Sequence, residues 1–260
     1  MRIDLMATSD PVAIFLFAHQ DDEFGVYNVI CEEVKRGRTV VCAYLTDGGA
    51  YGSSVEVRNR ESLSVLARLG VAEKNVHFAG PVLGIADASL PENLGVAATW
   101  LQAWLTQFSA IAAIYVPAWE GGHHDHDALH AIMIKIAEKR KMLHVVRQFS
   151  LYNGYRCSGA MFRVLTALPE NGEVDVDKIS WARRAKFLMH CMSYPSQFRS
   201  WLGLLPFVAL HYLFRGTQEI QRVSMDRINN RPHSGALYYE RRNFYTWEKM
   251  HEKISQSVVE

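Results

Sequence analysis

Val12-Ala13-Ile14-Phe15-Leu16-Phe17, followed at once by Ala18-His19-Gln20-Asp21-Asp22-Glu23, decides the fold. The first six residues form a continuous apolar run with β-branched members, the pattern of a strand buried on both faces. The stretch that follows sets one imidazole and three carboxylates within five positions. Such a cluster at a strand end is costly unless its charges meet a cation or a substrate. Strands buried on both faces belong to parallel sheets covered by helices, and such sheets bind ligands beyond their C-terminal strand ends. One segment therefore points to both a fold class and a site.

The chain around it repeats the alternation. Helical spacing through Phe24, Tyr27, Ile30, Cys31 and Val34 predicts a helix over Asp22 to Lys35, with Gly37 as its C-cap. A second strand is expected over Thr39 to Leu45 and a loop over Thr46 to Ser54. A helix over Glu56 to Leu69 stops at Gly70, and a short strand over Asn75 to Ala79 follows. Gly80 to Leu90 reads as irregular and carries Asp87. Pro91 suits the first turn of a helix reaching Phe108. Ala110 to Val116 is the fourth strand, Pro117 to Asp125 a loop, Asp127 to Lys141 a helix and His144 to Tyr152 a fifth strand. The alternation over 12–152 is that of a doubly wound, mostly parallel α/β sheet.

Beyond Tyr155 the pattern weakens. Gly159 to Leu168 reads as another strand, Ser180 to Cys191 and Asn243 to Lys253 as helices, and Arg227 to Tyr239 as irregular. The expected organisation is one domain over 1–260, with its core at 12–152 and a C-terminal wall or cap over 155–260.

Composition excludes some classes. The 260 residues are 49% apolar and 21% charged, enough for a sizeable core and unlike a disordered chain. A net charge of +1 offers no global argument for nucleic acid, and the basic run Lys135 to Lys141 reads as a solvated helix face. Cys31, Cys42, Cys157 and Cys191 show no Cys-x-x-Cys spacing, which favours a reduced, cytoplasmic protein. The N-terminus lacks a signal-peptide pattern. The apolar stretch Trp201 to Phe214 contains Pro206 and His211 and is shorter than the roughly 20 residues of a membrane span. It reads as a core helix; the alternative is an exposed apolar lip that contacts a membrane surface.

A second polar cluster, His123-His124-Asp125-His126, follows strand 4. In the common strand order 3-2-1-4-5, strands 1 and 4 are neighbours and their outgoing loops border the ligand crevice. The first loop holds no Gly-x-Gly-x-x-Gly run, so a dinucleotide is not expected there. Catalytic zinc takes three ligands from His and Asp/Glu and leaves a position open. His19 and Asp22, three apart at a helix start, can face one point, and His126 is the third candidate ligand. Asp21 then stays free to take a proton from metal-activated water. His126 with His130, four apart on a helix, is an open alternative pair. His123 could stabilise an oxyanion or protonate a leaving amine, with Asp125 orienting an imidazole.

These residues resemble the hallmarks of the PIG-L/LmbE-like zinc-dependent N-deacetylases. The family's Ala-His-Pro-Asp-Asp-Glu stands here as Ala18-His19-Gln20-Asp21-Asp22-Glu23, and its His-Pro-Asp-His as His123-His124-Asp125-His126. Both prolines are replaced, by Gln20 and His124. Leu45-Thr46-Asp47-Gly48, Arg58-x-x-Glu61, Leu69-Gly70-Val71 and Tyr194-x-Ser196-Gln197 are weaker matches in the right order. The resemblance spans about residues 12–200. It implies a Rossmann-like fold that hydrolyses an N-acetyl amide, commonly on N-acetylglucosamine or a glycoconjugate. It places Zn2+, with Fe2+ as the other candidate, on His19, Asp22 and His126, and makes Asp21 the base. It makes His123, supported by Asp125, the oxyanion stabiliser or acid, and suggests Arg58 and Asp87 as substrate contacts.

Overall fold

The computed structural model describes residues 11–49, 52 and 54–257. Positions 50, 51 and 53 of the expected loop, and both ends of the expected domain, lie outside the described residues. The strands are β1 (Val12–Phe17), β2 (Thr39–Tyr44), β3 (Val76–Phe78), β4 (Ile111–Pro117), β5 (Val146–Phe149), β6 (Tyr152–Asn153), β7 (Arg163–Val164), β8 (Val174–Lys178) and β9 (Thr217–Arg222). The helices are α1 (Tyr27–Lys35), α2 (Val55–Leu69), α3 (Ala79–Leu83), α4 (Leu94–Leu105), α5 (His124–Lys139), α6 (Trp181–Cys191), α7 (Phe198–Phe214), α8 (Tyr238–Arg241) and α9 (Trp247–Gln256).

The central sheet has the order β3-β2-β1-β4-β5-β9-β8. Its first five strands are parallel and take the order 3-2-1-4-5 expected from the sequence. β1 runs in unbroken register with β2, from Val12↔Thr39 to Phe17↔Tyr44, and pairs with β4 on its other side. Its side chains alternate between two cores, as the pleat requires. Val12, Ile14 and Leu16 enter the core that contains Leu101 of α4, Leu129 and Ile132 of α5 and Ile254 of α9. Ala13, Phe15 and Phe17 enter the core that contains Ile30 of α1, Leu66 of α2, Phe187 of α6 and Val208 of α7. The chain therefore leaves β1 toward one face and β4 toward the other, and the crevice between those exits carries both polar clusters.

The C-terminal third does more than wall the sheet. β9 and β8 extend it as antiparallel strands beyond β5. The sequence reading gave neither strand: β9 has no apolar alternation, and the Val-Asp alternation of β8 spans only four residues. In β9 the buried residues include Gln218, Glu219 and Gln221. Each is satisfied by a specific partner: the Gln218 amide donates to the Gly25 carbonyl (2.8 Å), Gln221 to those of Leu168 and Gly172 (2.9 Å each), and Glu219 accepts from the Ala167 N–H (2.9 Å). β8 is the exposed edge, and its alternating Asp175 and Asp177 suit an edge that must not pair further.

Several boundaries shift. The expected helix from Asp22 divides into a single 3-10 turn, Asp22–Gly25, and α1, with Val26 (φ −140°) between them. The expected strand over His144 to Tyr152 divides into β5 and β6, and β6 pairs with β7, the paired part of the stretch 159–168. Within 80–90, α3 continues to Leu83. Helix α5 begins at His124, three residues before the expected start, so His124, Asp125 and His126 form its first turn. The stretch 201–214 combines both expectations. Trp201, Val208 and Tyr212 of α7 are buried, whereas Leu202, Leu210, Leu213 and Phe214 are exposed. Among the described residues no helix is long and apolar enough to cross a membrane.

Candidate active site

The exit of β1 folds back on itself. The Asp22 Oδ2 accepts the backbone N–H groups of Ala18 (2.9 Å) and His19 (2.8 Å), which turns its other oxygen toward β4. That oxygen, Oδ1, lies 3.0 Å from His126 Nε2, and His126 Nε2 lies 3.3 Å from His19 Nδ1. His19 Nδ1 is 3.7 Å from Asp22 Oδ2. His19, Asp22 and His126 are each at most 7% exposed. Ligands about 2.0–2.1 Å from a tetrahedral metal sit roughly 3.3 Å apart, so three converging donors at 3.0–3.7 Å fit one cation. Two imidazoles and a carboxylate suit zinc or iron(II). His130, the alternative ligand, belongs to no such group among the described residues; its Nδ1 faces the Pro117 carbonyl (2.9 Å) beneath Trp119.

Asp125 has a different side-chain partner from the one expected. Its Oδ2 lies 3.0 Å from His19 Nε2 and also accepts the Ala88 N–H (2.7 Å), while Oδ1 accepts the Leu90 N–H (3.0 Å). A carboxylate on Nε2 fixes the tautomer that leaves His19 Nδ1 free to bind a metal. Asp125 meets His123 through the backbone: the Asp125 N–H donates to His123 Nδ1 (3.2 Å), the N-cap of α5. His123 must then carry its proton on Nε2. Burial and the neighbouring His19, His124 and His126 hold His123 well below its usual pKa, so it is a neutral donor. His19 is the opposite case. Burial opposes its charge, but Asp87, Asp125 and Asp22 outweigh burial and hold it well above the usual value.

Asp21 stands apart from the three donor groups. Its backbone is left-handed (φ 115°), a conformation that L side chains rarely adopt and that needs external support. Glu23 supplies it: Oε2 accepts the Asp21 N–H (2.8 Å) and the Tyr194 hydroxyl (3.3 Å), and Oε1 accepts the Tyr44 hydroxyl. Tyr27 donates in turn to the Tyr194 oxygen (3.2 Å). Burial pushes the Asp21 carboxyl up to about 8, against the pull of the Arg58 guanidinium. A divalent cation beside it acts in the same direction as Arg58.

Arg58 and Asp87 join the same crevice. The buried guanidinium donates to the carbonyls of Gln20 (2.8 Å) and Gly48 and to Asp87 Oδ2 (3.2 Å), and lies 3.8 Å from Asp21 Oδ1. Asp87 Oδ1 is 3.4 Å from His19 Nε2. Arg58 is thus a strut between the exits of β1 and β2 and the 80–90 stretch. The two residues that replace the family prolines are struts as well. Gln20 donates to Asn59 Oδ1 (2.7 Å) and the Asp47 carbonyl (3.2 Å). His124 bonds the Ala88 carbonyl through Nε2 (3.0 Å) and stacks on Tyr245 (5.0 Å, 5°).

Sequence reasoning missed the wall behind His126. Tyr152 packs its ring edge-on to His126 at 5.8 Å. Glu120 holds that segment by accepting the N–H groups of Leu151 (2.7 Å) and Tyr152 (3.0 Å) and the Asn153 amide (2.9 Å). Burial pushes the Glu120 carboxyl up to about 7. Gly122 lets the loop pass: a Cβ there would lie 2.0 Å from the Tyr152 carbonyl oxygen. No local pattern marks these residues, since they meet only in the folded chain. Glu23 and Tyr194 did stand within the quoted motifs, without an assigned role.

Comparison with known proteins agrees with this geometry. Residues 14–137 match the PIG-L family profile, described as GlcNAc-PI de-N-acetylase. The comparison with curated proteins gave no match. Among solved structures, a triple mutant of a deacetylase of the teicoplanin biosynthetic pathway aligns at 17% identity and TM-score 0.61, covering 82% of this chain and 98% of that one. N,N'-diacetylchitobiose deacetylase from Pyrococcus horikoshii, bound to an inhibitor, aligns at 14% identity and TM-score 0.62, covering 87% and 88%. A conserved protein from Thermus thermophilus aligns at 15% identity and TM-score 0.56, covering 81% and 93%. At such identities the likeness is one of fold. The family profile spans both polar loops, and the sheet that sets them side by side is shared in fold over most of the length, so residues 14–137 are similar to the PIG-L family on the stretch that carries the site.

Proposed function

We propose that the protein is a metal-dependent N-deacetylase that hydrolyses the acetamide of an N-acetylated amino sugar or glycoconjugate. The observation that carries the reading is the convergence of His19, Asp22 and His126 beside a carboxylate, Asp21, that is not one of the three donors. The family description and the deacetylases of like fold support the substrate class.

Zinc or iron(II) held by His19, Asp22 and His126 would supply Lewis acidity, polarising the amide carbonyl and lowering the pKa of water. The chain's own groups do the rest. Asp21 accepts a proton as water adds to the carbonyl carbon. The Nε2–H of neutral His123 donates to the oxygen that gains charge. The C–N bond then breaks, the proton held by Asp21 is available to the departing nitrogen, and acetate and a free amine result. Asp87, at the crevice, accepts a sugar hydroxyl. Arg58 acts on substrate through Asp87, because its terminal nitrogens already serve the carbonyls of Gln20 and Gly48.

An acetate-release screen over N-acetyl sugars and non-sugar acetamides, with metal-loaded protein, tests this. Turnover is expected on sugars, and Asp21→Asn is expected to retain metal and lose turnover. Metal binding without acetate release from any substrate would reduce the protein to a metal-binding module. Full activity in Asp21→Asn would remove Asp21 as the base.

A further inference from the structure

Helix α7 leaves an apolar face unpartnered. Its inner side, Trp201, Val208 and Tyr212, packs in the core. Its outer side exposes Phe198 (66%), Leu202 (67%), Leu210 (51%), Leu213 (54%) and Phe214 (76%). Phe198, Leu202, Pro206, Leu210 and Phe214 recur every four residues, so this is one stripe along a 17-residue helix, about 25 Å long. α6, which packs on α7 through Phe187 and Tyr212 (6.2 Å), exposes Trp181 and Met189, and Met192 just after it is exposed as well. Large side chains exposed this densely mark an interaction surface.

Charge says what covers it. From Lys178 to Gln218 the chain has no acidic residue and six basic ones, whereas the remainder has 22 basic and 27 acidic. Arg199 and Arg215 stand near the two ends of the apolar stripe, both exposed, with Arg215 paired to the buried Glu219 of β9 (2.8 Å). A groove of about 390 Å3 beside the helix is lined by Phe162, Phe207, Leu210 and Phe214 together with Arg163 and Arg215. A second copy of the same basic face would be repelled in a two-fold pairing. An apolar stripe with basic residues at its ends, and no acid on α6 or α7, is the composition of a helix lying in the headgroup layer of an anionic bilayer.

We propose that α7, with the exposed edge of α6, docks the protein onto anionic lipid membranes. The docking face adjoins the active site. Phe207 meets Phe162 (4.4 Å), Phe162 meets Tyr152 (6.2 Å) and Tyr152 meets His126 (5.8 Å). A helix in the headgroup layer therefore holds the crevice next to lipid, and docking itself does not depend on the deacetylase reading.

Sedimentation of the full chain with phosphatidylglycerol–phosphatidylcholine vesicles, against phosphatidylcholine vesicles alone, tests docking without turnover. The wild type is expected to prefer the anionic vesicles and to lose binding as salt rises. Leu202→Asp with Leu210→Asp, both at exposed positions, should weaken binding at least about tenfold with unchanged melting temperature. Arg199→Glu should reduce the preference for anionic lipid. Absence of wild-type binding, equal binding to both vesicles, or full binding by the double variant would each overturn the proposal. So would a concentration-dependent dimer that the double variant abolishes, since that would make this face a self-association surface. Failure of the acetate screen would leave this test intact.

Discussion

Asp125→Asn probes how the fold prepares the metal site. Three buried groups point at the Asp125 carboxylate: the Ala88 N–H and His19 Nε2 at Oδ2, and the Leu90 N–H at Oδ1. An amide has the same shape but only one oxygen. With that oxygen at Oδ2, the Leu90 N–H faces an NH2 group. With it at Oδ1, the Ala88 N–H and His19 face the NH2, and His19 keeps its contact only by moving its proton to Nδ1. Nδ1 is the atom that lies 3.3 Å from His126 Nε2 among the candidate ligands. One orphaned buried donor costs about 1–3 kcal/mol. For a chain of this size that lowers the melting temperature by about 2–4 °C per kcal/mol, measured in chelator. Metal affinity, measured by competition with a chelator of known strength, should fall about 10–100-fold. Asp87→Asn, altering a group 3.4 Å from the same nitrogen, should have the smaller effect. Metal affinity within about twofold of wild type for Asp125→Asn would refute the claim that Asp125 sets the His19 tautomer.

Glu23→Ala removes the acceptor of the Asp21 N–H and of two tyrosine hydroxyls; kcat for deacetylation should fall about 10–100-fold with little change in KM or metal content, and Glu23→Gln should recover part of it. Gly122→Ala drives a methyl into the Tyr152 carbonyl and should cost about 1–3 kcal/mol in urea unfolding, more than Gly95→Ala, where the added carbon meets nothing within 4 Å. Glu120 gives a pH dependence. With a folded pKa of about 7 against an unfolded value of 4.5, the unfolded chain releases its proton first. Stability should therefore fall between about pH 4.5 and 7, by up to about 3 kcal/mol, and stay level above. Urea titrations in chelator should show this slope flattened in Glu120→Gln, and an unchanged slope would rule Glu120 out as its source.

The parallel half of the sheet was legible because burial on both faces leaves an unmistakable mark. β1, all six residues apolar, and β4 could be nothing else, and their adjacency followed from the usual strand order. The antiparallel extension was not legible. β9 is a central strand built from glutamines and a glutamate, and their burial is tolerable only because carbonyls and an N–H from distant segments meet them. Local hydrophobicity carries no record of such partners. The same limit applies to α7, whose apolar sequence fits a core helix until the fold turns one side outward.

At the site, the order of residues within each loop set the menu: a histidine and an aspartate three apart, a spare aspartate between them, and a histidine-rich turn after β4. Those are properties of spacing along the chain. Which nitrogen faces which carboxylate was decided by packing across the crevice. Helix α5 starts three residues early, so Asp125 points at His19 while its N–H holds His123. Gln20 and His124, unexplained as departures from the family pattern, became struts once Asn59, Asp47, Ala88 and Tyr245 lay within reach. A sequence records which groups are available near a strand end. Hydrogen bonds between residues some 30 to 130 positions apart exist only after the sheet has closed the distance between them, and those bonds assign each group its proton and its direction.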